Sequence, residues 1–156
     1  MQANSPASIA NVVASLDKIC GWNYAGDGGG GQAVTVAELV IGQIGPGPDQ
    51  IPIAAAEIAP AATLTASATV YATVTVNKRT NAAPGTAVPI AVFVTNTTAN
   101  GGTGNWTAWK QVPATTLDTG AGSFVSPGDV ITVATTKAST GTILPQFQLA
   151  LFTGTN

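Results

Sequence analysis

The chain has 156 residues, of which 45% are hydrophobic and only 8% are charged, against about 25% charged residues in typical soluble domains. The net charge of −2 excludes the basic field that phosphate-backbone binding needs, so no nucleic-acid partner is expected. The chain lacks histidine and has one cysteine, which removes the usual general base, the imidazole ligand, an internal disulfide and a zinc cluster.

These numbers predict one folded, non-enzymatic domain without catalytic residues, cofactor or metal. A free monomer usually has a more charged surface, so we expect other subunits to cover part of this one. The alanine-rich region 54–72 is interrupted by Glu57 and Pro60, and no membrane span is predicted. Residues 1–6 carry no basic side chain and lead into no uninterrupted apolar core, so no secretory signal is expected.

The first twenty residues predict a short helix. Ser5 and Pro6 suit its N-terminus and Gly21 suits its end. Apolar residues at spacings of three and four form one stripe, which makes them candidate partner-binding residues if the helix docks on another protein rather than on its own β domain. They are Ile9, Val12, Val13, Leu16 and Ile19, with Cys20 as a small buried neighbour.

The four glycines Gly28–Gly31 predict a flexible tether, because holding them in a helix or a strand has a large entropic cost. From Gln32 onward the hydrophobic period changes to two. We therefore divide the chain into residues 1–31, the helix and Gly-rich tether, and residues 32–156, a β domain with an extended arm. Its first predicted strand, residues 34–41, ends in a run that is apolar on both faces.

The strongest strand signal lies between Leu64 and Val76, where small apolar residues alternate with mostly hydroxylated ones. Fully extended, this segment would measure about 45 Å, so it is expected to bend between two sheets or reach a neighbouring subunit.

Residues 77–85, with Lys78 and Arg79, predict a solvated turn. Shorter predicted strands follow, separated by turns rich in Gly, Pro and Asn. This pattern predicts a mainly β fold class, an antiparallel sandwich or jelly-roll barrel.

Acidic residues offer little chemistry. A glycosidase would need a carboxylate pair such as Asp118 with Asp129 or Glu38 with Glu57, but neither pair has a local motif. Asp129 follows Pro127-Gly128 and is expected to be a turn residue. An oxygen-only calcium site assembled from distant loops is an open alternative.

Two tryptophans leave carbohydrate binding open as well. Trp106 and Trp109 are three residues apart, so on a regular strand they would face opposite sides and form no common platform. The neighbouring Asn105 and Gln111 are able to bond sugar hydroxyls. Packing in a core or an interface is the better prediction for at least one of the two tryptophans.

The stretch Ser126–Val133, followed by Lys137–Thr142 and the closing segment Phe147–Leu151, resembles the small β-barrel decoration (cement) proteins of tailed-phage capsids. The Thr, Ala, Val and Gly richness and the scarcity of charge are similar too, over residues 61–156. The resemblance implies a jelly-roll or similar barrel, usually oligomeric and often trimeric. It also implies binding to the outside of the capsid lattice, reinforcement of that lattice and no catalytic residues.

We therefore expect a structural virion protein, assembled in the host cytoplasm and located on the outer capsid surface. Its expected partners are the major capsid protein and further copies of itself, most simply in a homotrimer. The alternative function is that of a carbohydrate-binding β-sandwich module of a phage fibre or a cell-surface adhesin.

Overall fold

The computed structural model describes residues 16–24, 36–46, 50–96, 105–138 and 144–154. These ranges contain β-strands and one 3₁₀ turn, and none of their residues belongs to a helix able to cross a membrane. The strands are β1 (Leu16–Tyr24), β2 (Val36–Gln43), β3 (Ile51–Pro60), β4 (Ala72–Thr80), β5 (Ala83–Val94), β6 (Val112–Pro113), β7 (Thr116–Leu117), β8 (Phe124–Val125), β9 (Val130–Lys137) and β10 (Phe147–Gly154), with the 3₁₀ turn at Ala121–Ser123.

The strands form two antiparallel sheets. The first sheet has the order β1-β10-β3-β6, and β8 also pairs with β3. The second sheet has the order β2-β9-β4-β5-β7. The first four strands thus run antiparallel to later ones, with β1 on β10, β2 on β9, β3 on β8 and β4 on β5.

Successive pairs of this long hairpin alternate between the two sheets. This is the arrangement of a jelly roll, a hairpin rolled into a two-sheet sandwich. The predicted fold class, mainly β with an antiparallel sandwich or jelly-roll barrel, is confirmed.

The core lies between the sheets and follows the alternation along each strand. In β4, Ala72, Val74 and Val76 are buried and the intervening threonines are half-buried. The first sheet contributes Leu149 and Leu151 of β10 to the same apolar cluster. Burial of each such aliphatic side chain contributes about 1.5–3 kcal/mol, which makes this period-two pattern the main source of the fold's stability.

The predicted helix is wrong for its last turn, because Leu16–Cys20 belong to strand β1. Leu16 lies opposite Gly154 and Cys20 lies opposite Leu151. Short apolar runs fit either period, and the small differences in helix propensity do not outweigh a ladder along the whole of β10. Ile9, Val12 and Val13 lie outside the described residues.

Strand β1 is therefore part of the jelly roll, although it precedes the predicted boundary at residue 31. The tether Gly28–Gly31 also lies outside the described residues. The division into residues 1–31 and 32–156 stays a prediction.

The long strand predicted between Leu64 and Val76 is interrupted. Only its last part, from Ala72 on, lies in β4, while Leu64 forms a single bridge with Trp106. Between them, the Ser67 hydroxyl oxygen accepts hydrogen bonds from the backbone N–H groups of Thr69 and Val70, at 3.3 and 2.9 Å. Ser and Thr side chains compete with sheet ladders for backbone groups in this way, so alternation alone overestimated the strand.

The solvated turn predicted for residues 77–85 is also wrong in part. Strand β4 continues to Thr80, and β5 begins at Ala83. Lys78 is buried, and its Nζ donates to the backbone oxygen of Phe124. The lysine stem is long enough to pack in the sandwich while its ammonium group reaches a carbonyl.

Candidate functional site

Strand β2 presents an apolar surface at one edge of the second sheet. Its side chains Leu39 and Val40 are 42% and 70% exposed. Two neighbouring residues of a regular strand would face opposite sides, but the register of β2 on β9 shifts on either side of this pair. Within the described ranges β2 pairs with β9 only, and an apolar edge strand is a ready surface for association with another chain.

The carboxylate of Glu38 connects strand β2 to its neighbours in the second sheet. Glu38 of β2 accepts a hydrogen bond from Arg79 Nε at 3.1 Å and a second from Arg79 Nη2, which completes a salt bridge. Its other oxygen accepts from Asn77 Nδ2 at 3.4 Å and from the Thr132 hydroxyl. Arg79 and Asn77 belong to β4 and Thr132 to β9, so Glu38 connects three adjacent strands.

The hydrogen bond from Arg79 lowers the pKa of Glu38 against the opposing effect of desolvation, and Thr132 and Asn77 lower it further. The same contact raises the pKa of Arg79. Because the pKa of Glu38 is lower in the folded chain, its stabilising contribution is present at neutral pH. It is lost as the pH falls through that lowered pKa.

The two candidate tryptophans differ completely in environment. Trp106 is fully buried, and its ring meets the ring of Phe147 edge to face at a centroid distance of 6.1 Å. Trp109 is 81% exposed. The prediction that at least one tryptophan packs in the core is confirmed by Trp106, and Trp109 is left as the aromatic group of a surface site.

The backbone of Trp109 has φ +62°, a left-handed conformation that is an outlier for a bulky side chain. Its N–H donates to the oxygen of Pro60 at 2.8 Å, and the next N–H, from Lys110, donates to Thr107 at 3.1 Å. Backbone strain of this kind persists where surrounding contacts impose it, and it is concentrated at functional sites.

A shallow groove of about 230 Å³ lies beside Trp109. It is lined by Ala59, Ala61, Trp109, Gln146, Phe147 and Gln148. The sequence alone singles out neither glutamine. Gln146 precedes the predicted closing segment, and the role of Gln148 depends on the strand that pairs with that segment, which the sequence does not reveal. Asn105 and Gln111 instead line a separate groove, and Asn105 Oδ1 accepts from Ala66 N at 2.8 Å.

The acidic candidates have structural partners. Asp129 accepts from Ser126 N at 2.9 Å and from Asn81 N at 3.4 Å, and Gly128 has φ +89°, as a tight turn requires. Asp118 accepts from Gly120 N at 2.8 Å. Glu38 and Glu57 lie in different sheets, and no group of three potential metal ligands occurs among the described residues.

The sequence indicated the β2 surface only indirectly, through the run that is apolar on both faces. Of the predicted partner-binding residues, Leu16 and Ile19 lie in β1, beside β10 in the first sheet. They are therefore not part of the edge that carries Leu39 and Val40.

No protein-family model, curated protein or solved structure matches this chain.

Proposed function

We propose that this protein is a structural, non-enzymatic virion subunit of the tailed-phage decoration type. It binds the major capsid protein on the outer surface of the capsid and reinforces the capsomer lattice, acting as a homo-oligomer, most simply a trimer. The observation that carries the proposal is the exposed Leu39–Val40 pair on edge strand β2. Such a pair, in a chain with 8% charged residues, favours association over a free monomeric state.

The architecture supports this proposal. Jelly rolls serve in viral capsid and in lectin domains, so the fold agrees with the role without deciding it. A subunit that reinforces a shell needs rigid β structure and contact groups that are inexpensive to desolvate. Apolar side chains and neutral hydroxyls meet that need, because burial of unpaired charge is strongly unfavourable.

The β2 edge is also preorganised in the free subunit. Glu38 precedes the exposed pair and is fixed through Arg79 and Thr132 to the neighbouring strands. A rigid edge loses less conformational entropy on association than a mobile one. Ile9, Val12 and Val13 belong to the same proposal as further partner contacts.

The test compares wild type with the double variant Leu39→Ser/Val40→Ser. Val70→Ser is the matched control, since Val70 is 38% exposed and belongs to the segment before β4 rather than to β2. Sedimentation velocity should give a wild-type oligomer and a double variant of lower mass, with the control unchanged. An obligate interface should bury about 2,000 Å² or more, so wild-type melting should depend on protein concentration.

Capsid binding is tested on purified empty capsids of a tailed phage whose genome carries this coding sequence. Wild type and Val70→Ser should co-sediment with the capsids and raise their resistance to heat, and the double variant should do neither. A monomeric wild type that leaves the capsids unaltered would contradict the proposal.

A further inference from the structure

We propose that the groove beside Trp109 binds a neutral saccharide. This site goes beyond the capsid role and does not depend on it. Trp109 supplies an exposed aromatic face, and the lining residues that the structure describes supply two carboxamides and no charge.

The pairing of β10 with β3 places the polar groups. Gln148 lies directly opposite Ala59, and Phe147 lies opposite Pro60. Phe147 and Pro60 are buried, whereas Gln146 and Gln148 are exposed. Gln146 immediately precedes β10, and its backbone oxygen accepts from Ala61 N at 2.7 Å, which continues the pairing with the β3 side. Residues two apart in extended chain share a face, so both glutamines lie on the outer face of the first sheet, with Ala59 between them and the loop that carries Trp109.

Hydrogen bonds hold the backbone of the loop that carries Trp109. Leu64 and Trp106 exchange two backbone hydrogen bonds of 2.8 and 3.0 Å. Ala108 N donates to Thr63 Oγ1 at 3.1 Å, and Trp109 N donates to Pro60 at 2.8 Å. Strand β6 pairs with β3 directly after the loop. Because the loop is anchored before and after the indole-bearing residue, a ligand would not need to order it, which preserves binding free energy.

The chemistry of the groove selects the ligand class. An aromatic ring packs against the apolar C–H face of a sugar ring, and each carboxamide offers two donors and an acceptor to neighbouring hydroxyls. The volume of about 230 Å³ is below the range of about 300–1,000 Å³ typical of drug-sized ligands. Together with the small Ala59 and Ala61, these features fit one pyranose ring, such as a hexose unit of a polysaccharide.

The same features separate this site from a protein-docking surface. The groove is small, and four of the six lining residues named above are neutral amides or alanines around a single exposed aromatic side chain. The exposed apolar pair Leu39–Val40 lies in the other sheet. Protein interfaces of standard size bury about 800 Å² on each partner, which this groove does not offer.

The probes are the methyl glycosides of glucose, galactose, mannose and N-acetylglucosamine, observed by saturation-transfer NMR and titrated by tryptophan fluorescence. Wild type should bind at least one of them, and Trp109→Tyr should retain binding because it keeps an aromatic face. Trp109→Ala should weaken binding by at least about tenfold, and Gln148→Leu by about threefold to tenfold. Val70→Ser is the control and should bind as wild type does.

Thermal melts establish that each variant is folded. Binding of no glycoside by folded wild type would overturn the saccharide site, as would equal binding by Trp109→Ala. Normal binding by Gln148→Leu would overturn the role of the carboxamide. If Trp109→Ala instead lowers the sedimentation coefficient or abolishes capsid binding, Trp109 is a protein contact and the proposal fails. The capsid proposal is judged separately, by the Leu39→Ser/Val40→Ser variant.

Discussion

Trp109 combines two features that folding alone does not favour. A large apolar side chain is exposed to solvent, and its backbone has a positive φ of 62°. For an L-residue other than glycine the left-handed region costs about 1–2 kcal/mol. The hydrogen bonds from Trp109 to Pro60 and from Ala108 to Thr63 hold the conformation in spite of that cost. A residue that contributes little to the core and is kept under strain is more readily explained by binding than by stability.

This strain predicts that two substitutions of Trp109 differ in stability. Trp109→Gly should be more stable to urea than Trp109→Ala by about 1 kcal/mol, because glycine adopts positive φ without steric cost. Both variants remove the indole, so both should lose saccharide binding. Equal urea midpoints, or a less stable glycine variant, would show that the backbone of Trp109 is not strained.

The neighbouring Trp106 supplies the contrasting case. Trp106→Ala should lower the free energy of unfolding by about 3–5 kcal/mol, because it opens a cavity beside Phe147 in the core. Trp109→Ala should change it far less. Urea denaturation of the two variants checks the assignment, and a larger loss for Trp109→Ala would contradict it.

At the level of elements, the side chain of Glu38 adds to the backbone ladder that joins β2 to the second sheet. Glu38 is bonded to β4 through Asn77 and Arg79 and to β9 through Thr132. Arg79 also donates from Nη1 to the oxygen of Pro84 at 2.7 Å, which extends the connection into β5. The edge that carries Leu39 and Val40 is therefore held by its ladder with β9 and by the hydrogen bonds and salt bridge of Glu38.

Glu38→Gln should lower the urea midpoint at pH 7, since a neutral amide cannot form the salt bridge with Arg79. The difference from wild type should narrow as the pH falls below the ordinary glutamate pKa of 4.5. In that range wild type loses the contribution of ionised Glu38 as its lowered pKa is crossed, and the variant has no such contribution to lose. Glu57→Gln, in the other sheet, is the control. A difference that is constant from pH 7 to pH 3 would contradict the assignment of the effect to Glu38 ionisation.

At the scale of the whole molecule, the jelly roll brings the first and the last of the described strands together. Strand β1 lies beside β10, and their ladder runs from Leu16–Gly154 to Tyr24–Phe147. Strand β10 carries the core residues Leu149 and Leu151. Removal of β1 would therefore take away the edge strand of the first sheet and make β10 the new edge.

Two truncations distinguish the parts of the predicted N-terminal segment. Deletion of residues 1–15 should leave the fold intact and reduce oligomer or capsid binding, because it removes Ile9, Val12 and Val13 but keeps β1. Deletion of residues 1–31 should in addition lower the melting temperature and promote aggregation, since it exposes the edge of β10. Circular dichroism melts and sedimentation check both. Equal melting of the two truncated chains would show that β1 is dispensable for the fold.

Much of the fold was predictable because local patterns of apolar residues and turn residues identify the strands and turns. The alternation over Ala72–Val76, the Pro127-Gly128 turn and the apolar closing segment each identify their element within a few residues. The candidate site was less predictable. Its parts come from the end of β3, the start of β10 and the loop around Trp109, which are distant along the chain and meet only through strand pairing.

The sequence by itself determined that the protein is a β sandwich with few charges, since burial with period two and the composition are properties of the chain. Only the tertiary structure decided that Leu16–Tyr24 form a strand, that Lys78 is buried, and that Trp106 lies inside while Trp109 lies outside. The physical reason is that periodicity assigns side chains to faces only while the backbone is regular. The partners of a strand, and the irregular φ of Trp109, are set by hydrogen bonds to residues far away in the sequence.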